Sequence, residues 1–205
     1  MLIIPRHVVI IGVVTGEPRS AEHGEPQVAH LGEQDVGTAT YSERDLKLMR
    51  RALEEAERAA EKGEVPVGAV VARDEEILAV AHNERETSKD PTAHAELLAL
   101  RRAAARTKSW RLTGCTLYTT LEPCPMCAGA LHASRISRLV YAAPDPKAGA
   151  AGTLYDLPAD TRLNHTYPRT PGVLQVESAA LLRSFFEQRR NRPQPGPSAL
   201  PSKEA

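Results

Sequence analysis

Cys124 and Cys127 stand three positions apart in the stretch LEPCPMCAGAL, and they are two of only three cysteines among 205 residues. Pro123 and Pro125 flank the first of them. A strand-like run ends just upstream, and a helix is expected to begin here, because proline in a first turn gives up an amide that has no intrahelical partner anyway. Residues three apart on a first turn share a face, and the positive end of the helix dipole favours thiolate over thiol. Two thiolates so placed make half of a zinc site. The spacing alone leaves open a redox pair, or two buried thiols in a core helix. A redox motif belongs early in a thioredoxin-like pattern, whereas a helix, a hairpin and a second helix are expected before this one. A structural zinc would need two further ligands, and the chain has no second CxxC.

His94 offers a third ligand. Histidine and two cysteines leave the fourth tetrahedral position to water, the arrangement of a catalytic rather than a structural zinc. Glu96, two residues on, can then take a proton from the activated water and deliver it to a leaving nitrogen. By itself His94 reads as a surface or capping residue. Residues two apart point to different sides of a regular helix, so the pair has to occupy the looser first turn.

Several elements must position these side chains. Leu46, Met49, Leu53, Ala56 and Ala60 recur at helical spacing between Tyr41 and Lys62, with Ser42 as N-cap candidate and Gly63 as stop. Val65–Arg73 and Ile77–His82 form an expected hairpin across Asp74, Glu75 and Glu76. Asp90, Pro91 and Thr92 supply the cap and first turn expected for the helix AHAELLALRRAAAR. Strands are expected at Cys115–Leu121 and Ser137–Ala142, a short fifth at Val173–Val176, and a last helix over Glu177–Arg190. This order predicts a three-layer α/β/α domain with a central mixed five-stranded sheet.

Composition limits the alternatives. The chain has a formal net charge of zero and 4% aromatic residues, so base-stacking platforms are scarce. The balance is uneven: residues 1–40 carry two basic against five acidic side chains, and residues 41–192 carry 23 against 20. That surplus permits a polyanionic partner without requiring one. No run of about 18 apolar residues occurs, so no membrane span is expected, and the low, odd cysteine count argues for a reduced, cytoplasmic setting. Residues 1–40 are expected to be a poorly ordered extension, in which VVIIGVV could pair as a strand. The natural start is expected at residue 1 or nearer Val36 or Tyr41. Residues 41–192 are expected to form the working domain and residues 193–205 a disordered proline-rich tail.

His94-Ala95-Glu96 followed by Pro123-Cys124-Pro125-Met126-Cys127 resembles the H-x-E and P-C-x-x-C signature of the zinc-dependent nucleoside and base deaminases. VPVGAVV, the asparagine of AHNERE, DPTAHAE, TLYTTLEPCPMCAGAL, DPKAGAAGTL and SFFEQRR extend the likeness from about Ser42 to Arg190. They are similar to the bacterial branch of that family that acts on tRNA adenosine. The resemblance implies a cytidine deaminase-like fold and hydrolysis of adenosine to inosine at the wobble position of a tRNA anticodon, typically in an arginine tRNA. It implies one zinc per subunit, held by His94, Cys124 and Cys127, with Glu96 as the catalytic proton carrier. Asn83 would contact the target nucleoside, and Val65–Gly68 would line the base pocket. Glu122 and Pro123 would close its zinc side. Asp145 and Lys147 would meet the anticodon stem-loop, joined by the basic residues of the last helix, Arg183, Arg189, Arg190 and Arg192. A homodimer is also implied, with the helix after Cys127 as a candidate contact. Without the resemblance, Asn83 reads as a turn residue, the 145–152 segment as a solvated loop, and the last helix's arginines as charges in water. A free-base or nucleoside deaminase, for example of guanine or cytosine, is the alternative enzyme, and a noncatalytic zinc-binding subunit the alternative class.

Overall fold

The computed structural model describes residues 41–191. The extension expected over residues 1–40 with its VVIIGVV strand, the tail expected from residue 193, and Arg192 lie outside the described residues.

Helix α1 (Glu43–Glu61) starts where the Ser42 hydroxyl accepts the Asp45 amide hydrogen at 3.0 Å, satisfying one of the donors a helix start leaves free. Its inner stripe of Leu48, Met49, Ala52, Ala56 and Ala59 is buried. Strands β1 (Gly68–Arg73) and β2 (Glu76–His82) form the expected antiparallel hairpin. Strand β3 (Cys115–Leu121) pairs antiparallel with β1, and β4 (Arg138–Ala143) and β5 (Arg169–Thr170) follow in parallel. The sheet order is β2-β1-β3-β4-β5, so the expected mixed five-stranded sheet is present. Helices α3 (Ala95–Thr107) and α4 (Pro125–Ala133) cover one face, packing Ala99, Leu100 and Leu131 on Leu117 and Leu139. Helix α1 covers the other face through Val70, Tyr118 and Val140, with α5 (Gln175–Asn191) beside it. Both faces of β3 are therefore dry, and its residues are buried almost without alternation.

Three expectations shift. The fifth strand is Arg169–Thr170 rather than Val173–Val176, because Leu174 adopts a left-handed φ of 55° that no strand accepts and the chain turns there into α5. Val65–Val67 precede β1 rather than belonging to it, and Pro66 has no amide to give a ladder. Asp90, Pro91 and Thr92 form a turn outside α3, since the Asp90 side chain accepts the Thr92 amide at 2.8 Å and the Thr92 hydroxyl at 2.7 Å. The helix accordingly begins later, and His94 becomes its N-cap. A short helical turn, α2 (Arg85–Ser88), follows β2.

Candidate active site and metal centre

His94 and Cys124 hold equivalent positions at the starts of α3 and α4. Each is an N-cap with extended backbone, and neither side chain makes the usual capping bond. Freed from the helical period, His94 can turn independently of Glu96, which sits in the first turn as the spacing required. Pro125 opens α4, placing Cys124 and Cys127 at N-cap and third position, the same relation that lets capping-box residues reach one another. His94 Nδ1 lies 3.7 Å from Cys124 Sγ and 3.5 Å from Cys127 Sγ, and all three donor atoms fall within 4.8 Å of one another. A tetrahedral zinc with its usual Zn–N and Zn–S bonds needs N···S separations of about 3.5 Å. The donor set and its spacing therefore fit zinc.

Proton sharing within this cluster follows from contact. Hydrogen bonding to Cys127 and to His94 pushes the Cys124 thiol down to about 4 against the effect of burial. The bond to Cys124, with burial, pushes Cys127 up, since a second thiolate beside the first is opposed. The same partner raises His94. Burial pushes the Glu96 carboxyl above its ordinary range.

These groups border a cavity of about 230 Å³. His94, Glu96 and Cys124 line it together with Val65, Val67, Asn83, Leu121, Glu122, Asp145 and Ala148. Six of the seven expected site residues thus converge: five line the cavity, and Cys127 is buried within the donor cluster. Lys147 does not line it; the side chain is exposed, and its amide donates to Asp145 Oδ1 at 2.9 Å. Arg183, Arg189 and Arg190 are exposed along α5 and do not line it either.

Two supports of the cavity escape sequence reasoning. Glu64 is fully buried and accepts the Glu86 and Thr87 amides at 3.1 and 2.7 Å and Asn83 Nδ2 at 3.2 Å. Burial pushes this carboxyl up, but the backbone hydrogen bonds outweigh it and hold Glu64 below the ordinary range. An ionised carboxylate only accepts, so the Asn83 amide must turn its NH₂ toward Glu64, leaving Oδ1 available. Arg85, on α2, lines the cavity and is the one arginine or lysine that does so among the described residues. Glu64 follows Gly63 in what reads as a solvated turn, and nothing in the local pattern marks it as buried.

Residues 42–143 match the family described as the cytidine and deoxycytidylate deaminase zinc-binding region. The chain is 48% identical over 148 residues to the tRNA-specific adenosine deaminase of Bacillus subtilis, covering 72% of this chain and 92% of that one. It is 49% identical over 150 residues to the tRNA-specific adenosine deaminase of Haemophilus influenzae, covering 73% and 87%. A solved structure from biochemical and structural studies of A-to-I editing by tRNA:A34 deaminases at the wobble position of transfer RNA aligns with a TM-score of 0.64. Its identity is 40%, over 66% of this chain and 99% of that one. The guanine deaminase of Nitrosomonas europaea aligns with a TM-score of 0.60 at 25% identity, over 68% and 83%. The matched region contains the donor set and strands β1 to β4, and the chain belongs to the zinc-binding cytidine and deoxycytidylate deaminase family.

Proposed function

We propose that this protein hydrolyses adenosine to inosine and ammonia at the wobble position of tRNA anticodons, that of an arginine tRNA first among them. The observation that carries the reading is a buried Glu96 beside the His94, Cys124 and Cys127 donor cluster, on one cavity, in a chain that spans 92% of a tRNA-specific adenosine deaminase. When bound by those three residues, zinc supplies Lewis acidity that brings the ionisation of water into the neutral range. Glu96 accepts the first proton of the attacking water and passes it to a ring nitrogen of adenine as the water oxygen bonds to C6; it then takes the second proton from the new C6 hydroxyl and gives it to the amine, so that the C6–N bond breaks and ammonia leaves. Asn83 Oδ1 accepts a hydrogen bond from the target nucleoside, Arg85 meets a phosphate, and Asp145 and Lys147 meet the anticodon loop. Arg183, Arg189 and Arg190 on α5 add phosphate contacts farther along the stem.

The protein acts in the cytoplasm as a homodimer, and residues 41–192 carry the activity. Support for the dimer is an apolar groove of about 430 Å³ between α3 and α4, lined by Leu97, Leu100, Leu112 and Trp110, the last of them 55% exposed. No helix among the described residues is long and apolar enough to cross a membrane.

The likeness to a guanine deaminase makes a free base the competing substrate. Incubating the purified protein with tRNA, guanine, adenosine and cytidine separates the two. Inosine at the wobble position is the expected product, and ammonia from a free substrate with no inosine in tRNA would overturn the reading.

A further inference from the structure

Glu122 follows directly on β3 and stands two residues before the metal donor Cys124. It is 2% exposed, and its carboxylate is filled by donors from one loop. The Asp145, Ala151 and Thr153 amides donate to it at 3.0, 2.9 and 3.0 Å, and the Thr153 hydroxyl donates as well. The loop over residues 145–153 has no helix or strand of its own beyond a bridge between Ala151 and Asp156, so these bonds do much to define its path. The Ala150 amide adds a bond to the Pro123 carbonyl at 2.8 Å. Fit is close: a Cβ on Gly149 would overlap Glu122 Oε2 and stand 2.6 Å from the Asp145 carbonyl oxygen. Asp145 and Ala148 of this loop line the cavity.

We propose that Glu122 is a positioning residue for RNA recognition, fixing the 145–153 loop against the short segment that carries Cys124. A single buried carboxylate then sets the offset between the surface that meets the anticodon and the centre that reacts with the base. The inference rests on reading the cavity as a tRNA adenosine site.

Steady-state deamination of an anticodon stem-loop by zinc-loaded Glu122→Gln, Thr153→Val and the double variant tests this, together with amide exchange across residues 145–153. The side-chain amide introduced by Glu122→Gln would turn a donor toward donors, so KM should rise about tenfold or more with kcat and zinc content within about twofold. Thr153→Val touches the same link from the loop side, far from Cys124 in sequence. It should raise KM by a smaller factor, and the double variant should be no worse than Glu122→Gln alone, because contacting partners are not additive. Loop amides should exchange faster in each variant. Unchanged KM and exchange, independent additive effects, or a loss confined to zinc content would overturn the proposal. If Glu122→Gln fails to fold, Thr153→Val gives the same readouts. A wild-type protein that makes no inosine in the stem-loop would refute the substrate reading, while loop exchange in the variants would still test the link.

Discussion

His94 and Cys124 gain their chemistry from being N-caps that do not cap. Neither side chain makes a capping bond, and two helix starts bring their donor atoms within 3.7 Å. Glu96 lies beside the donors without being one of them. Replacing it by Gln keeps the shape and removes the carboxyl proposed to carry the proton, so zinc content measured by atomic emission should stay at the wild-type level while kcat falls by about 10²–10⁴-fold. Undiminished turnover would contradict the role. Cys127→Ser removes a buried ligand, and the expected outcome is loss of bound zinc together with loss of deamination. Retention of stoichiometric zinc after dialysis against a chelator would count against this ligand set.

Helix α1 rides on β1 so closely that one position admits only glycine. A Cβ at Gly68 would overlap the Ala52 carbonyl oxygen and meet the Ala56 amide nitrogen at 2.6 Å, both backbone atoms that move only with the helix. Gly68→Ala should therefore cost about 1–3 kcal/mol or more, read as a lower urea midpoint with an unchanged slope. The alanines of α1 permit this approach, and it sets the depth at which Val67 and Asn83 border the cavity. Helix α3 is held against β2 in a comparable way: Arg102 donates to the Val80 carbonyl at 2.9 Å and Arg106 to the Ile77 carbonyl at 3.0 Å. These bonds fill carbonyls on the open edge of the sheet, which would otherwise invite another strand, and they fix the helix whose start carries His94.

Asp45 ties the molecule together across its α1 face. Its carboxylate accepts Arg138 Nη1 and Nη2 at 2.8 and 2.9 Å and the Tyr118 hydroxyl at 3.0 Å, and Arg138 reaches on to Thr170 at 2.9 Å. Strands β3, β4 and β5 thereby share one anchor on α1. Burial alone would raise the Asp45 carboxyl, but the bonds from Arg138, Ser42 and Tyr118 outweigh it and hold it below its ordinary 3.8. The stability gained this way is complete above pH 3.8 and is lost as the pH falls through the lower folded value. Asp45→Asn should cost about 1.5–3 kcal/mol at pH 7, with the gap to wild type closing below that ordinary value. A gap that stayed constant down to acid unfolding would contradict the assignment. Burial and the adjoining Asp45 charge push the Tyr118 hydroxyl up to about 12, so it remains a donor throughout this range.

Much of this is legible in the chain alone. Period and capping residues determine α1, and the helix-compatible Cys-Pro-x-Cys run over Cys124 to Cys127 determines the start of α4, because both signals are local. The types and spacing of His94, Glu96, Cys124 and Cys127 determine the donor set, since few residue types bind zinc. The start of α3 is not legible in the same way, because Asp90 and Thr92 bond to each other as readily as they cap a helix, and the choice depends on what lies beyond them. Nor is the fifth strand, because two residues carry no period. Tertiary structure alone decides that Glu64 and Glu122 are buried. Each is a lone charged residue beside a turn or a strand end, and only backbone amides brought from 22 to 31 positions away in sequence make its burial tolerable.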